Sequence, residues 1–269
     1  MKIIKIIGLF CLFILTFFYT EKVINISLEQ DEIMIKIKEY ENTNIKPINA
    51  IIKEDTIIPG NIGKYIDTEA SYKAMKKIGY FEPTMLVYKN IYPEVSIYNN
   101  YNKYIIQGNT KNKSVSLLYI LNNNNLADNL ITITKKHNIK LNIFIDSTFL
   151  NNNISVIDKI KDNEIYNYGS NGTYTKDNLI VANNIINNKS NNKSIFCLFK
   201  ERNEQSLNNC TNSKMLSILT QNSSFYYIKN NLENGNIYLI DNTQELNKTI
   251  EYILSKGYSI IPLSELIIE

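Results

Sequence analysis

Histidine is almost missing from this chain of 269 residues: there is one, His137. A hydrolytic zinc site needs about three protein ligands and one open position, and a single imidazole cannot furnish the usual set. A Ser-His-Asp arrangement would also have to use His137, and no serine lies in a nucleophile-elbow motif. His137 instead ends a helical pattern that leads into the next strand, where a cationic ring favours a helix C-terminus; it is read as a structural or surface residue. Cysteine is limited to three residues. Cys11 lies in an apolar N-terminal run. Cys197 and Cys210 either pair or remain two buried thiols, and one such pair makes no zinc site by itself. Tryptophan is absent, and glycine (9) and proline (5) are scarce. The one glycine cluster that invites a phosphate-loop reading, "PGNIGK", lacks the spacing and the terminal Lys-Ser/Thr. An excess of one charge is missing too. The net charge is +3, scattered along the chain, so no nucleic-acid partner is expected.

What is present suffices for a real core: 44% of the residues are hydrophobic. The length allows one large domain, or one domain with a smaller companion. Tyrosine is abundant, at 19. Asparagine runs at 122–125 and 151–153 read as loops. A coding bias toward Ile, Asn, Lys and Tyr produces the same runs, so they carry no functional weight.

The N-terminus, "MKIIKIIGLFCLFILTFFYTEK", has Lys2 and Lys5, an uncharged apolar run from Ile6 to Tyr19, then Glu21 and Lys22. Ile3, Ile4 and a snorkelling Lys5 lengthen the run toward a membrane span. A cleaved signal peptide has a similar core, but no small-x-small site follows. The expectation is an uncleaved signal anchor over 1–22, with cleavage as the alternative. The early lysines place the N-terminus in the cytoplasm and the remainder outside a single-pass cell-membrane helix. Residues 23–44 then form a juxtamembrane helix or a partly ordered linker. Residues 45–110 form a small α/β region, with Pro59-Gly60 and Gly63 as turns and a helix capped by Asp67 or Thr68.

From Ser114 the pattern changes to alternating strands and helices, which argues for a parallel sheet with helices around it. The strand in "KNKSVSLLYILNNNN" (111–125) runs into four asparagines. Catalytic groups usually sit at such strand ends, yet here there is no carboxylate, imidazole or thiol. The segments "VSLLY", "TKKHNIKLNIFI", "DNEIYNYGSNG", "GNIYLID" and "ILSKGYSIIPLSELI" follow one another in an order and spacing that resemble the polysaccharide deacetylase (NodB-homology) family. The resemblance covers 111–269. It implies an α/β fold, an irregular (β/α) barrel of polysaccharide-deacetylase type, here preceded by the small α/β region and an N-terminal transmembrane helix.

The resemblance keeps the scaffold and loses the chemistry. The family's two aspartate positions fall on Ile120 and Leu121, its two ligating histidines on Tyr168 and Gly172, and its late histidine near Asp241. Its R-x-P-x-G strand falls around "CLFKERN", without the prolines. No metal, cofactor or catalytic residue is therefore expected. Polar groups remain at the strand ends: Asp146 and Asp241, with Asn167, Tyr168, Asn171 and Tyr174 in the loop that replaces the histidine motif. Amides and phenols of this kind hydrogen-bond and stack on sugars, and the two aspartates either hold hydroxyls or cap the segments that follow them. The expectation is a pseudoenzyme that binds cell-envelope glycan or scaffolds an envelope protein. The alternative is an active carbohydrate deacetylase or hydrolase with a non-standard site.

Overall fold

The computed structural model describes residues 2–269; the side chains of 2–9, 11, 21, 24 and 25 lie outside the described set. Helices α1 (Lys2–Glu29) and α2 (Glu32–Glu39) lead to a hairpin of β1 (Ile51–Lys53) and β2 (Thr56–Ile58). Then come β3 (Gly63–Ile66), α3 (Thr68–Lys76), β4 (Tyr88–Ile91) and the short β5 (Tyr104–Ile105). The chain divides into two units, Met1–Pro47 with Ile62–Ile91, and Ile48–Asn61 with Tyr92–Glu269. These borders differ from the expected 1–22, 23–44, 45–110 and 111–269.

In the first unit, Asp31 caps α2 by accepting from Ile33 N at 2.9 Å, and Asp67 caps α3 by accepting from Ala70 N at 3.0 Å. Capping satisfies amides that have no partner within the helix. Ile33 and Ile37 of α2 pack with Ile66, Met75 and Leu86, so the latter part of the expected stalk is a packed helix, not a linker. Phe10, Leu12, Phe13, Leu15, Phe17, Phe18 and Tyr19 of α1 are all exposed. Among the described residues no helix is long and apolar enough to cross a membrane. The transmembrane expectation for 1–22 therefore gains no support from the structure, and it falls in part on side chains outside the described residues.

In the second unit, eight-residue β6 (Ser114–Leu121) is followed by α4 (Asn124–His137), β7 (Asn142–Ile145), α5 (Ser147–Asn152), α6 (Val156–Ile160) and β8 (Glu164–Asn167). Next come α7 (Lys176–Lys189), β9 (Phe196–Phe199), α8 (Glu204–Asn212), β10 (Leu216–Leu219), α9 (Phe225–Asn230) and β11 (Ile237–Ile240). The chain closes with α10 (Thr243–Ser255), β12 (Ser259–Ile260) and α11 (Leu263–Leu266). One sheet runs β11-β6-β7-β8, all parallel, with β12 also on β6. A second runs β1-β2-β5-β10-β9, parallel apart from the β1–β2 hairpin. The hairpin and β5, expected in a separate small region, thus belong to the main unit.

Side chains of β6 alternate between two cores, as a period of two requires. Leu117, Tyr119 and Leu121 face a layer with Leu130, Ile157 and Ile250 of the helices. Leu118 faces the space between the sheets with Phe144, Tyr166, Phe196, Ile218 and Leu239. Because both faces are buried, the strand reads as one apolar run. Among the described residues no strand ladder joins the two sheets, so strand pairing shows a mixed α/β fold and does not by itself establish the expected irregular (β/α) barrel.

Side chains and single amides cross the two seams instead. At β8/β9 the Tyr174 hydroxyl lies 3.2 Å from Asn167 O and accepts from Leu198 N at 2.7 Å. At β10/β11, Thr220 Oγ1 donates to Ile237 O at 3.0 Å and Ser223 N to Leu239 O at 2.7 Å. Cys197 of β9 and Cys210 of α8 form a disulfide, which resolves the alternative left by their spacing. His137 Nε2, at the end of α4, lies 2.9 Å from Asn247 Oδ1 on α10, which fits the structural of the two readings. The Glu269 carboxylate is buried and accepts from Gly60 N at 2.9 Å, Ile97 N at 3.1 Å and the Ser96 hydroxyl. A side chain at Gly60 would collide with Ile48 O, which is why the turn after Pro59 needs glycine.

Candidate functional site

The parallel strands β6, β7, β8, β9 and β11 end on one side of the second unit. A cavity of about 160 Å³ lies there, lined by Asn122, Asp146, Tyr168, Asn171, Lys200 and Asp241, with Tyr119 and Ile120 in its wall. Each strand end delivers its residue for a local reason. Asp146 follows β7 and caps α5: its Oδ1 accepts from Thr148 N at 2.9 Å and Phe149 N at 3.0 Å. Its Oδ2 accepts from Asn171 N at 2.7 Å, which ties down the loop after β8. That loop turns tightly through positive φ at Gly169 (68°), Asn171 (48°) and Gly172 (80°). Asp241 follows β11, and its Oδ2 accepts from Asn222 Nδ2 at 2.6 Å.

Four of the six expected site residues are therefore gathered: Asp146, Tyr168, Asn171 and Asp241. Asn167 and Tyr174 are not. Asn167 is fully buried, where its Oδ1 accepts from Ser147 Oγ and Gly169 N and its Nδ2 donates to Asn178 O. Tyr174 is buried at the β8/β9 seam. Neither lines the cavity, and both spend their polar atoms on hydrogen bonds inside the protein. They are polar because backbone groups at the seam need partners away from water.

Tyr168 lines the cavity, and its hydroxyl has no hydrogen-bond partner among the described residues. Burial, and then the charge of Asp146, push its phenol pKa up; burial and Asp241 do the same for Tyr119. Both phenols stay neutral donors at physiological pH. Lys200 brings a cation that makes no salt bridge among the described residues. Sequence reasoning passed over Lys200 as a site residue. Its signal was its place directly after "SIFCLF", at the end of a strand in the parallel series.

The arrangement does not fit a metal ion. Among the described residues no group of three His, Cys, Asp or Glu side chains could hold one. Both oxygens of Asp146 are already directed at backbone amides. Of the two positions that the resemblance assigns to aspartates, Ile120 borders the cavity and Leu121 points into the outer core. At Gly172 the φ of +80° disfavours any side chain, and a Cβ there would lie 3.0 Å from the Tyr168 hydroxyl. What remains can hydrogen-bond: two carboxylates, two amides, two phenols and an ammonium.

No family model matches the chain. A search of solved structures places it against BA3943 of Bacillus anthracis, described as a CE4 family pseudoenzyme. The TM-score is 0.63 and the identity 22%, over 88% of this chain and 95% of that one. Bacillus subtilis PdaA, a family 4 carbohydrate esterase, aligns at a TM-score of 0.51 and 16% identity, over 82% and 97%. The chain has the fold of the family 4 carbohydrate esterases. This is the NodB-type deacetylase fold that the sequence resemblance implied. A mutant of BA3943 with the same TM-score is described as having restored enzymatic activity. Among curated proteins, the uncharacterized protein YlxY of Bacillus subtilis is 34% identical over 145 residues. That match takes in 52% of this chain and 44% of YlxY, so the chain spans less than half of its relative's length.

Proposed function

We propose that this is a membrane-anchored, extracytoplasmic protein of deacetylase fold that has lost hydrolytic metal chemistry and binds cell-envelope glycan. The observation that carries the proposal is the strand-end cavity: it keeps a polar lining, while its carboxylates are committed to Asn222 and to backbone amides. The likeness to a protein described as a CE4 pseudoenzyme supports the reading. So does the apolar N-terminal run flanked by Lys2 and Lys5. The Cys197–Cys210 disulfide suits an oxidising compartment outside the cytoplasm.

The test uses the full chain purified in a detergent without sugar groups. Bound metal is measured by mass spectrometry, acetate release from N-acetylated glycan is assayed on the same sample, and retention on isolated cell-wall sacculi is scored. The expected result is retention with neither metal nor acetate. Near-stoichiometric zinc with acetate release overturns the reading. Scaffolding of an envelope protein remains the reading if nothing is retained and crosslinking recovers a stable partner. One observation favours an active hydrolase with a non-standard site: Asp146 and Asp241 line the same cavity as Lys200. Turnover left unchanged by both Asp146→Asn and Asp241→Asn would remove the assignment of catalysis to these two carboxylates, and absence of any turnover in the wild-type chain would remove the alternative itself.

A further inference from the structure

A second opening lies beside the strand-end cavity within the same unit, and it is far larger, about 770 Å³. Ligand sites for small molecules commonly enclose about 300–1,000 Å³. The larger opening falls in that range and the 160 Å³ cavity falls below it. The cleft follows the β10/β11 seam: Leu219 at the end of β10 and the following Thr220 line it from one side, Ile237 and Tyr238 of β11 from the other. It exists because these two strands are held by isolated bonds and not by a ladder. Lys200 lines both the cleft and the cavity, and the Asn222–Asp241 hydrogen bond joins their walls.

The chemistry of the rim narrows the occupant. Gln221, Asn222 and Tyr227 are all exposed on it. Among the described residues neither the Gln221 amide nor the Tyr227 hydroxyl has a partner within the chain. Arg202, also on the rim, is held by Asp55 through two bonds of 2.6 and 3.1 Å. The charges left without a salt bridge among the described residues are one cation, Lys200, and one anion, Glu201. Amides that both donate and accept match paired hydroxyls, and a phenol ring matches the C–H face of a sugar.

We propose that this seam cleft is the main ligand site, and that it takes a neutral linear oligosaccharide whose end residue reaches past Lys200 toward Tyr168. The inference rests on the glycan-binding reading above and relocates its centre of affinity. The test titrates the full chain, in the same detergent, with the β-1,4-linked tetrasaccharide of N-acetylglucosamine by calorimetry. Tyr227→Ala and Gln221→Ala are expected to weaken binding at least ten-fold each, and Tyr227→Phe to retain it. Tyr168→Phe, which removes only the hydroxyl met by the end residue, is expected to weaken binding less than either cleft variant does. If the wild-type chain binds, the two cleft variants bind equally well and Tyr168→Phe weakens binding ten-fold, the ligand sits in the cavity. The cleft proposal then falls while the glycan reading stands. An anionic tetrasaccharide of uronic acid that binds ten-fold tighter than the neutral one overturns the neutral class. No binding of either probe or of sacculi overturns the cleft and the glycan reading together.

Discussion

Asp146 shows how one side chain can look like chemistry and act as architecture. It takes three backbone amides: two begin α5 and one anchors the loop after β8. Asp146→Ala should lower stability by about 1–2 kcal/mol, the usual cost of losing a helix cap, read as a shift of the urea midpoint. A group that served only a ligand would leave the midpoint unchanged. Asp55 makes a pH-dependent counterpart. The hydrogen bonds from Arg202, and then that residue's charge, hold its carboxyl below the usual carboxylate range. Its folded pKa is thus lower than its unfolded one. The tie contributes fully above the unfolded value of about 3.9 and is lost as pH falls through the lower folded value. Arg202→Ala should flatten the stability-against-pH curve in that acid window and leave its shape near neutrality unchanged, as followed by chemical denaturation at stepped pH. The capping role of Asp146 was legible as one of two readings, because Asp before a helix is a local pattern. The burial of Asn167 and Tyr174 was not. Nothing within a few residues of either tells that a second sheet closes over them.

Among the elements, the seams are the places to probe. Tyr174 joins β8 to β9 through its hydroxyl, and it is fully enclosed. Tyr174→Phe keeps the ring and strands the Leu198 amide, so it should cost about 1–3 kcal/mol, the penalty of an unpaired buried group. Thermal unfolding followed by near-UV dichroism reads the loss, and an unchanged midpoint would mean the seam is held elsewhere. The long strand β6 was plain in the sequence, since eight apolar or small residues in a row need two buried faces. The fate of β1, β2 and β5 was hidden. They join the second sheet through β5, whose partner β10 lies more than a hundred residues downstream, and strands of two or three residues carry too little pattern to name a partner. Lys200 escaped notice for a related reason: its meaning comes from Asp146 and Asp241, which reach it only through the fold.

For the whole molecule, the division into units makes a prediction about where it can be cut. A fragment of 111–269 keeps the whole β11-β6-β7-β8 sheet yet loses β1, β2 and β5, and with them Ile57, Ile97, Tyr104 and Ile105 from the core. It should unfold without a sharp transition in urea, followed by far-UV dichroism. A fragment of 48–269 should retain cooperativity, because it holds every strand of both large sheets. Equal cooperativity of the two fragments would show that the second sheet stands without its early strands. Glu269 adds a matter of timing. Its carboxylate receives the amides of Gly60 and Ile97, which precede it in the chain by 209 and 172 positions. On a ribosome these two amides must wait through 209 and 172 further positions before that polar partner arrives. Contacts of such long range are slow to form, and unpaired edges are prone to stray association meanwhile. The nascent chain therefore carries these two amides without their buried carboxylate through that stretch of synthesis, a period in which a holding chaperone would have something to protect.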